Sequence, residues 1–487
     1  MAAMSPFNLD DQFPTLKRPA RALIRFFAGM ILIPARGIRR RYKPILACIA
    51  VLIIAHWVAT LVVGRQVRME IMSIRSDGNP TTAADLAGPK IPDDENAAVL
   101  YGKVFEFMAT KQGKEDLGVI GMFPSRKECA KDPTLWNKAA EVLPRYQGVI
   151  SLIEQAQTRP KCRFPVNWGR WYDAQFPHIA PMRRLAQLLR AQARIDAKAG
   201  KMDEALHCVQ LAFKLSDSVK DEPILISQLV RISVVGIAAR TFTEVLEYGR
   251  IDEPQARRLY GTLSGINMDT SMVTAMRGER ALGLLAFQEV RKNGPLGKGL
   301  QEAGSLPRVV HTWFWRPMLY ADEMYFLRMT DSAVRRVSLP YWEFSKHPDP
   351  YRDQEPPKYA LLSSLVMPVY TRARNAADRA QAQIAGSQIV LALEAYKDRY
   401  GGYPASLDEL KARLGWPIPK DPFSDNDFIY KPQGNGILLY SVGENLKDDG
   451  ARKYSSYVTR KGDESVIHEY QTADGQFSDD VIWELDR

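Results

Sequence analysis

Cysteine is scarce in this chain, four in 487 residues, too few for a scaffold held by disulfides. Histidine is sparse as well, six in all, and neither an H-E-x-x-H helix nor a paired C-x-x-C is present, so contiguous zinc motifs are excluded. Also missing are a G-x-S-x-G elbow, a P-loop and a G-x-G-x-x-G turn following a strand. Any catalysis is thereby confined to a noncontiguous site. Acidic charge is lacking at the start of the chain. Residues 1–43 hold nine Lys/Arg against Asp10 and Asp11, which accounts for most of the formal charge of +10 and leaves about +3 for the remainder. A nucleic-acid-binding function has little support from so localised an excess.

What is present is a long apolar run. Pro44–Gly64 carries no Lys, Arg, Asp or Glu, and its 21 residues match the length needed to cross about 30 Å of hydrocarbon. Six Lys/Arg lie within twenty residues before it and only Arg65, Arg68 and Arg75 within twenty after it. That asymmetry predicts a cytoplasmic N-terminus, an inner (cytoplasmic) membrane location and a periplasmic or otherwise extracytoplasmic bulk. The basic lead exceeds a signal peptide's, and no A-x-A-like site follows, so the segment is expected to stay as an anchor. The short apolar stretch Phe26–Ile33 suits either the headgroup layer or a disordered tail.

Organisation along the chain follows from periodicity. Residues 1–43 read as a basic cytoplasmic tail, 44–64 as a transmembrane helix and 65–94 as a linker rich in Asp, Pro, Gly and Thr. From 95 to 345 apolar residues recur at helical spacing, which predicts an all-α region of antiparallel hairpins. Its clearest unit spans Pro181–Pro223: Leu185, Leu188, Ala191 and Ile195 line one helix, Gly200 ends it, and Ala205, Val209 and Ala212 line the next. This pair is similar to one tetratricopeptide unit, without that repeat's first-helix Trp and Tyr. Helices are also expected at Ile224–Tyr248, Glu253–Leu263 with Asp252 as cap, and Asp269–Arg291. The aromatic cluster His311–Trp315 precedes a helix opened by Pro317, and residues 346–358 form a Pro-rich boundary.

Beyond residue 359 the pattern changes to one long helix, a Gly401-Gly402 stop, a short helix capped at Ser406, and strands around a Gly434-Asn435-Gly436 turn. Further strands are expected at Val466–Tyr470 and Val481–Leu485. Four segments carry a family resemblance here. Met367–Arg374 looks like the region around the characteristic proline of a pilin helix, and Ala392–Pro404 looks like that helix's end. Lys420-Asp421-Pro422-Phe423 and Tyr440-Ser441-Val442-Gly443 look like two signatures of a globular head. Residues 359–487 therefore resemble the major pseudopilin of type II secretion and, more widely, type IV pilin-like proteins. The family's Gly-Phe-Thr-Leu-Ile-Glu cleavage motif is missing, and only Ala360–Val369 is apolar where a membrane-length helix belongs.

The overall expectation is a multidomain chain: one N-terminal transmembrane helix, an all-α middle domain and an α+β pseudopilin-like C-terminal domain. Its expected role is that of an anchored structural or interaction protein with protein partners and no nucleic acid, possible association with secretion or envelope machinery being what the resemblance implies. The alternative is an extracytoplasmic enzyme with a site between helical domain and head. The resemblance also implies calcium, held in the family by loops of the head. Asp448, Asp449, Asp479 and Asp480 are the candidate ligands, hard oxygens of the kind calcium takes. Glu444-Asn445 replaces the family's usual Asp-Gly there, and solvated acidic turns remain the alternative. Cys129 and Cys162 lie in polar stretches and are a possible disulfide pair.

Overall fold

The computed structural model describes residues 35–121, 133–169, 175–293, 315–347, 350–351, 355–451, 456–461, 464–469 and 481–485. The described chain is mostly helical with small antiparallel sheets. Two units separate, residues 1–65 and 66–487.

In the first unit lies most of the apolar part of helix α1 (Ala35–Ser76). Pro44–Ser76 is long and apolar enough to cross a membrane, and Leu52, Ile54, Trp57, Val58 and Leu61 stand exposed. Thr60 turns its hydroxyl back onto the His56 carbonyl at 2.7 Å, removing a polar group from the helix surface. Leu225–Leu246 also passes the length and composition test, but more than half of that window is buried, as befits a core helix.

The second unit begins within α1, where Val67 and Ile74 bury against Leu284 and Leu327. The segment expected as a linker then carries a short helix, α2 (Ala83–Ala87). Thr82 and Asp85 form a capping box around its start, and Leu86 packs beside Trp168, Ile224 and Ala281. Helices α3 (Ala97–Ala109), α4 (Lys111–Gly121), α5 (Pro133–Val142) and α6 (Gln147–Gln157) follow.

The central hairpin is α7 (Ile179–Lys198) and α8 (Met202–Ser216), joined where Gly200 adopts a φ of +79° that other residues disfavour. Helix α9 (Leu225–Leu246) packs on both. Next come α10 (Glu253–Ser264) and α11 (Asp269–Asn293), the former opened by an Asp252–Gln255 capping box with Pro254 in its first turn. The expected helices thus form within a few residues of their predicted ends. Of the aromatic cluster, His311–Phe314 lies outside the described residues; Trp315 precedes α12 (Arg316–Val337), and α13 (Tyr341–Phe344) is a single turn.

The C-terminal region opens with α14 (Leu361–Tyr400), 40 residues long. Asp322 of α12 accepts hydrogen bonds from the Leu362 amide at 2.8 Å and the Ser363 amide at 3.3 Å, so another helix supplies the N-terminal cap. Gly401 closes α14 at a φ of +82°, and Ser406 caps α15 (Leu407–Leu414). Strands β1 (Ile429–Gln433) and β2 (Gly436–Ser441) form the expected hairpin, and β5 (Val481–Leu485) pairs antiparallel with β2, Ser441 opposite Val481. Strands β3 (Ser456–Lys461) and β4 (Glu464–Glu469) make a separate hairpin.

One apolar core runs from Ala97 to Leu485. Helix α14 lies along α9 and α10, burying Ala377, Ala380, Ile384, Leu391 and Ala395. Polar ties reinforce the contact: Gln388 bonds Ser264 at 2.9 Å, Gln381 accepts from the Met268 amide at 3.1 Å, and Arg399 forks onto Glu253.

Candidate functional site

The two head-like signatures meet at one carboxylate. Asp421 is almost fully buried, and its Oδ1 accepts from the Phe423 amide at 3.0 Å and the Ser441 hydroxyl at 2.9 Å. Its Oδ2 accepts from the Ser424 hydroxyl and the Val442 amide, both at 3.2 Å. A tight turn after Pro422 brings the Phe423 and Ser424 donors to hand, and the β1–β2 hairpin returns Ser441 and Val442. The side chain therefore holds the turn against the end of β2. Four donors on one buried carboxylate make a structural node.

Downstream of β2 the acidic loop residues have protein partners. Glu444 points back to α14, accepting from Asn375 at 2.8 Å and Arg379 at 3.1 Å. Asp448 accepts from the Tyr440 hydroxyl at 3.0 Å and the Gly450 amide at 2.8 Å, and Asp449 accepts from Asn445 at 2.9 Å. Asp479 and Asp480 lie outside the described residues. Among the described residues no group of three or more His, Cys, Asp or Glu is placed to hold a metal ion. The antiparallel pairing of β2 with β5 does put the residues after Ser441 and those before Val481 at the same end of the sheet.

A cavity of about 660 Å³ opens between the 78–91 segment and the loops before α7 and α9. Gly88 adopts a φ of +61° there, which other residues disfavour, and the adjacent Arg163 guanidinium donates to the carbonyls of Ala87 and Pro89. Behind the wall lies a buried polar group. His178 stacks flat on Phe164 at 4.2 Å, and its Nε2 sits 3.0 Å from the Glu222 carboxylate, which also accepts from the Ser227 hydroxyl. Residue types suggest a hydrolase triad, but the order is wrong. A nucleophilic serine needs histidine as its immediate partner, whereas here the carboxylate stands between the two. All three side chains are also buried, and of the three only Glu222 borders the cavity.

Cys162 borders the same cavity. Burial pushes its thiol well above the ordinary range, and the Glu222 and Asp221 charges push the same way. The thiolate that nucleophilic or metal chemistry needs is therefore suppressed. Cys162 is free, and Cys129, its expected partner, lies outside the described residues. Cys208 is buried, while its neighbour His207 faces outward to Glu154 at 2.7 Å, so the two share no ligand.

Sequence patterns gave no sign of the His178–Glu222–Ser227 group, because its members come from separate elements and match no motif. They were equally silent on a second concavity of about 460 Å³, lined by Arg183, Arg190, Ser233, Arg240, Gln383 and Trp483 among others. No family model, curated protein or solved structure matches this chain.

Proposed function

We propose that the chain is a membrane-anchored, extracytoplasmic structural or interaction protein whose C-terminal residues form a pseudopilin-like head built onto a helical body. The anchor is α1, whose exposed apolar residues between Pro44 and Gly64 are costly in water and suited to lipid. The positive charge before it places the N-terminus in the cytoplasm. The observation that carries the reading is the burial of α14 on the chain's own α9 and α10. A pilin-like helix that assembles fibres must keep its flanks free for other copies, and these flanks are already covered. The head is then a fixed part of one protein, offering its surface to a partner in the envelope or in secretion machinery. The order long helix, capped short helix, hairpin and late strand, with Asp421 joining the two signatures, supports the pseudopilin likeness.

The enzyme alternative is disfavoured by the wrong order of the buried serine, carboxylate and histidine, and by the suppressed Cys162 thiol. Reporter fusions at Gly78 and after Leu485 are expected to report the exterior. A cytoplasmic signal from either overturns the topology. Incubation of the purified protein with broad ester and peptide substrates is expected to give no turnover, and sustained turnover sinks the interaction reading.

Calcium belongs to the same proposal, with Asp448, Asp449, Asp479 and Asp480 as ligands, supported by the shared end of β2 and β5. The hairpin β3–β4 intervenes in sequence between the end of β2 and the start of β5.

A further inference from the structure

The concavity around Arg240 is built from four elements. Arg183 and Arg190 come from α7, Ser233, Gly236, Ile237 and Arg240 from α9, Gln383 from α14 and Trp483 from β5. Its floor depends on one glycine: at Gly386 a Cβ would lie 2.3 Å from the Trp483 indole, so only glycine lets β5 rest on α14 there.

Charge in this groove is unbalanced. Arg190 is neutralised by Glu244, its Nε and Nη2 donating at 2.9 and 2.6 Å. Arg183 and Arg240 are exposed and have no carboxylate partner among the described residues. Ser233 and Gln383 add further polar groups to the lining. Guanidinium forks of this kind fit carboxylates bidentately. Along the same face of α9, Ile226 and Leu229 stand 48% and 41% exposed, seven and four residues before Ser233. An apolar stripe ending in two unpaired arginines is complementary to a peptide that carries apolar residues beside carboxylates.

We propose that this groove receives an acidic peptide segment of a partner protein, its carboxylates on Arg183 and Arg240 and its apolar side chains along Leu229 and Ile226. The proposal rests on the interaction reading and names the partner's chemistry. Nucleic acid fits less well, since two free arginines neutralise too few phosphates for binding at physiological salt. The docking face draws on helical body and head together, so it exists only when the two are assembled.

The test uses the full chain in nanodiscs of zwitterionic lipid and a fluorescein-labelled hexaglutamate peptide read by anisotropy. Saturable binding is expected, weakened at least tenfold by Arg183→Glu with Arg240→Glu and restored in part by the milder Arg183→Gln with Arg240→Gln. Lys103→Glu with Lys214→Glu makes the same change in net charge elsewhere and is expected to shift affinity less than twofold. Leu229→Asp is expected to weaken an alternating Glu-Leu peptide more than hexaglutamate. Thermal midpoints of all variants serve to separate lost binding from lost folding. Undiminished binding by the Arg183/Arg240 variant overturns the assignment, as does equal loss in the Lys103/Lys214 variant. Stronger competition from phosphatidylglycerol vesicles or from an oligonucleotide than from unlabelled hexaglutamate also overturns it. None of these failures touches the interaction reading itself, which is broken by hydrolytic turnover.

Discussion

Two regions of the molecule bury carboxylates, and they satisfy them in opposite ways. In the C-terminal region Asp421 gathers four hydrogen bonds from two amides and two hydroxyls, all within 21 residues of it. In the helical body Glu323 of α12 pairs with Arg291 of α11, and its Oε1 has no hydrogen-bond partner among the described residues. Burial pushes the Glu323 carboxyl up to about 7 in spite of the arginine. Asp378 on α14 lies between these extremes: Arg374 grips both of its oxygens, at 2.6 and 2.8 Å, yet burial still raises it to about 6. Several fixed dipoles brought by tight turns stabilise a buried acid locally. A single cation on a neighbouring helix leaves desolvation dominant.

The sharpest way to break the comparison is to remove the Asp421 acceptor. Asp421→Ala strands four donors in a dry interior, with an expected loss of about 3 kcal/mol. The lowered denaturant midpoint reads it, together with faster hydrogen exchange at the Val442 amide. A loss under about 1 kcal/mol means that water replaces the carboxylate and that the two signatures are not held by it.

Next in size is the pH dependence. Because folded Glu323 keeps its proton to about pH 7 while the unfolded chain loses it near the ordinary value of 4.5, this contribution is present below about pH 4.5 and is lost as pH rises through 7. Asp378 acts in the same direction between its ordinary 3.8 and about 6. The ceiling for Glu323 is about 3 kcal/mol, from 1.36 kcal/mol per unit. Thermal midpoints are therefore expected to fall between pH 5 and 8, and Glu323→Gln is expected to flatten that slope. A slope unchanged by the substitution assigns the pH response to other groups.

The smallest expected effect is that of calcium. An ion bound only by the folded protein adds about 1.4 kcal/mol at tenfold excess over its Kd, by mass action. Thermal midpoints in millimolar calcium and in chelator measure it, with Asp448→Asn and Asp449→Asn expected to abolish any rise. An unchanged midpoint leaves both residues as turn formers, with Tyr440, Gly450 and Asn445 as their partners.

The same contrast governs what was legible beforehand. Elements announced by local signals were readable: the Asp252 cap, the Gly401 stop, the Ser406 cap and the Gly434–Gly436 hairpin turn all depend on residues within one turn of each other. Asp421 stood inside a recognisable segment, although its bonds to Ser441 and Val442 were not evident. What escaped reading was whatever joins distant elements. The Asp322 cap on α14 comes from 40 residues away, His178 reaches Glu222 across 44, and the Arg183–Arg240 groove needs four elements at once. The segment 65–94 looked like a linker because polar turn residues dominate it. Val67, Ile74 and Leu86 give it apolar anchors, and only their distant partners, Leu284 and Leu327 for the first two and Trp168, Ile224 and Ala281 for the third, reveal that.

The pairing of β2 with β5 has a consequence in time. Strand β2 is central in the order β1-β2-β5, yet its outer neighbour starts at Val481, about forty residues after Ser441. At about 5–20 residues per second, the ribosome leaves β2 without that neighbour for roughly 2–8 s, far longer than a hairpin takes to form. During that interval the nascent hairpin displays one bare ladder of amides and carbonyls, and the slot at Gly386 stands empty until Trp483 arrives. Newly made chains thus pass through an adhesive stage whose length is set by translation and not by the folding of the head itself.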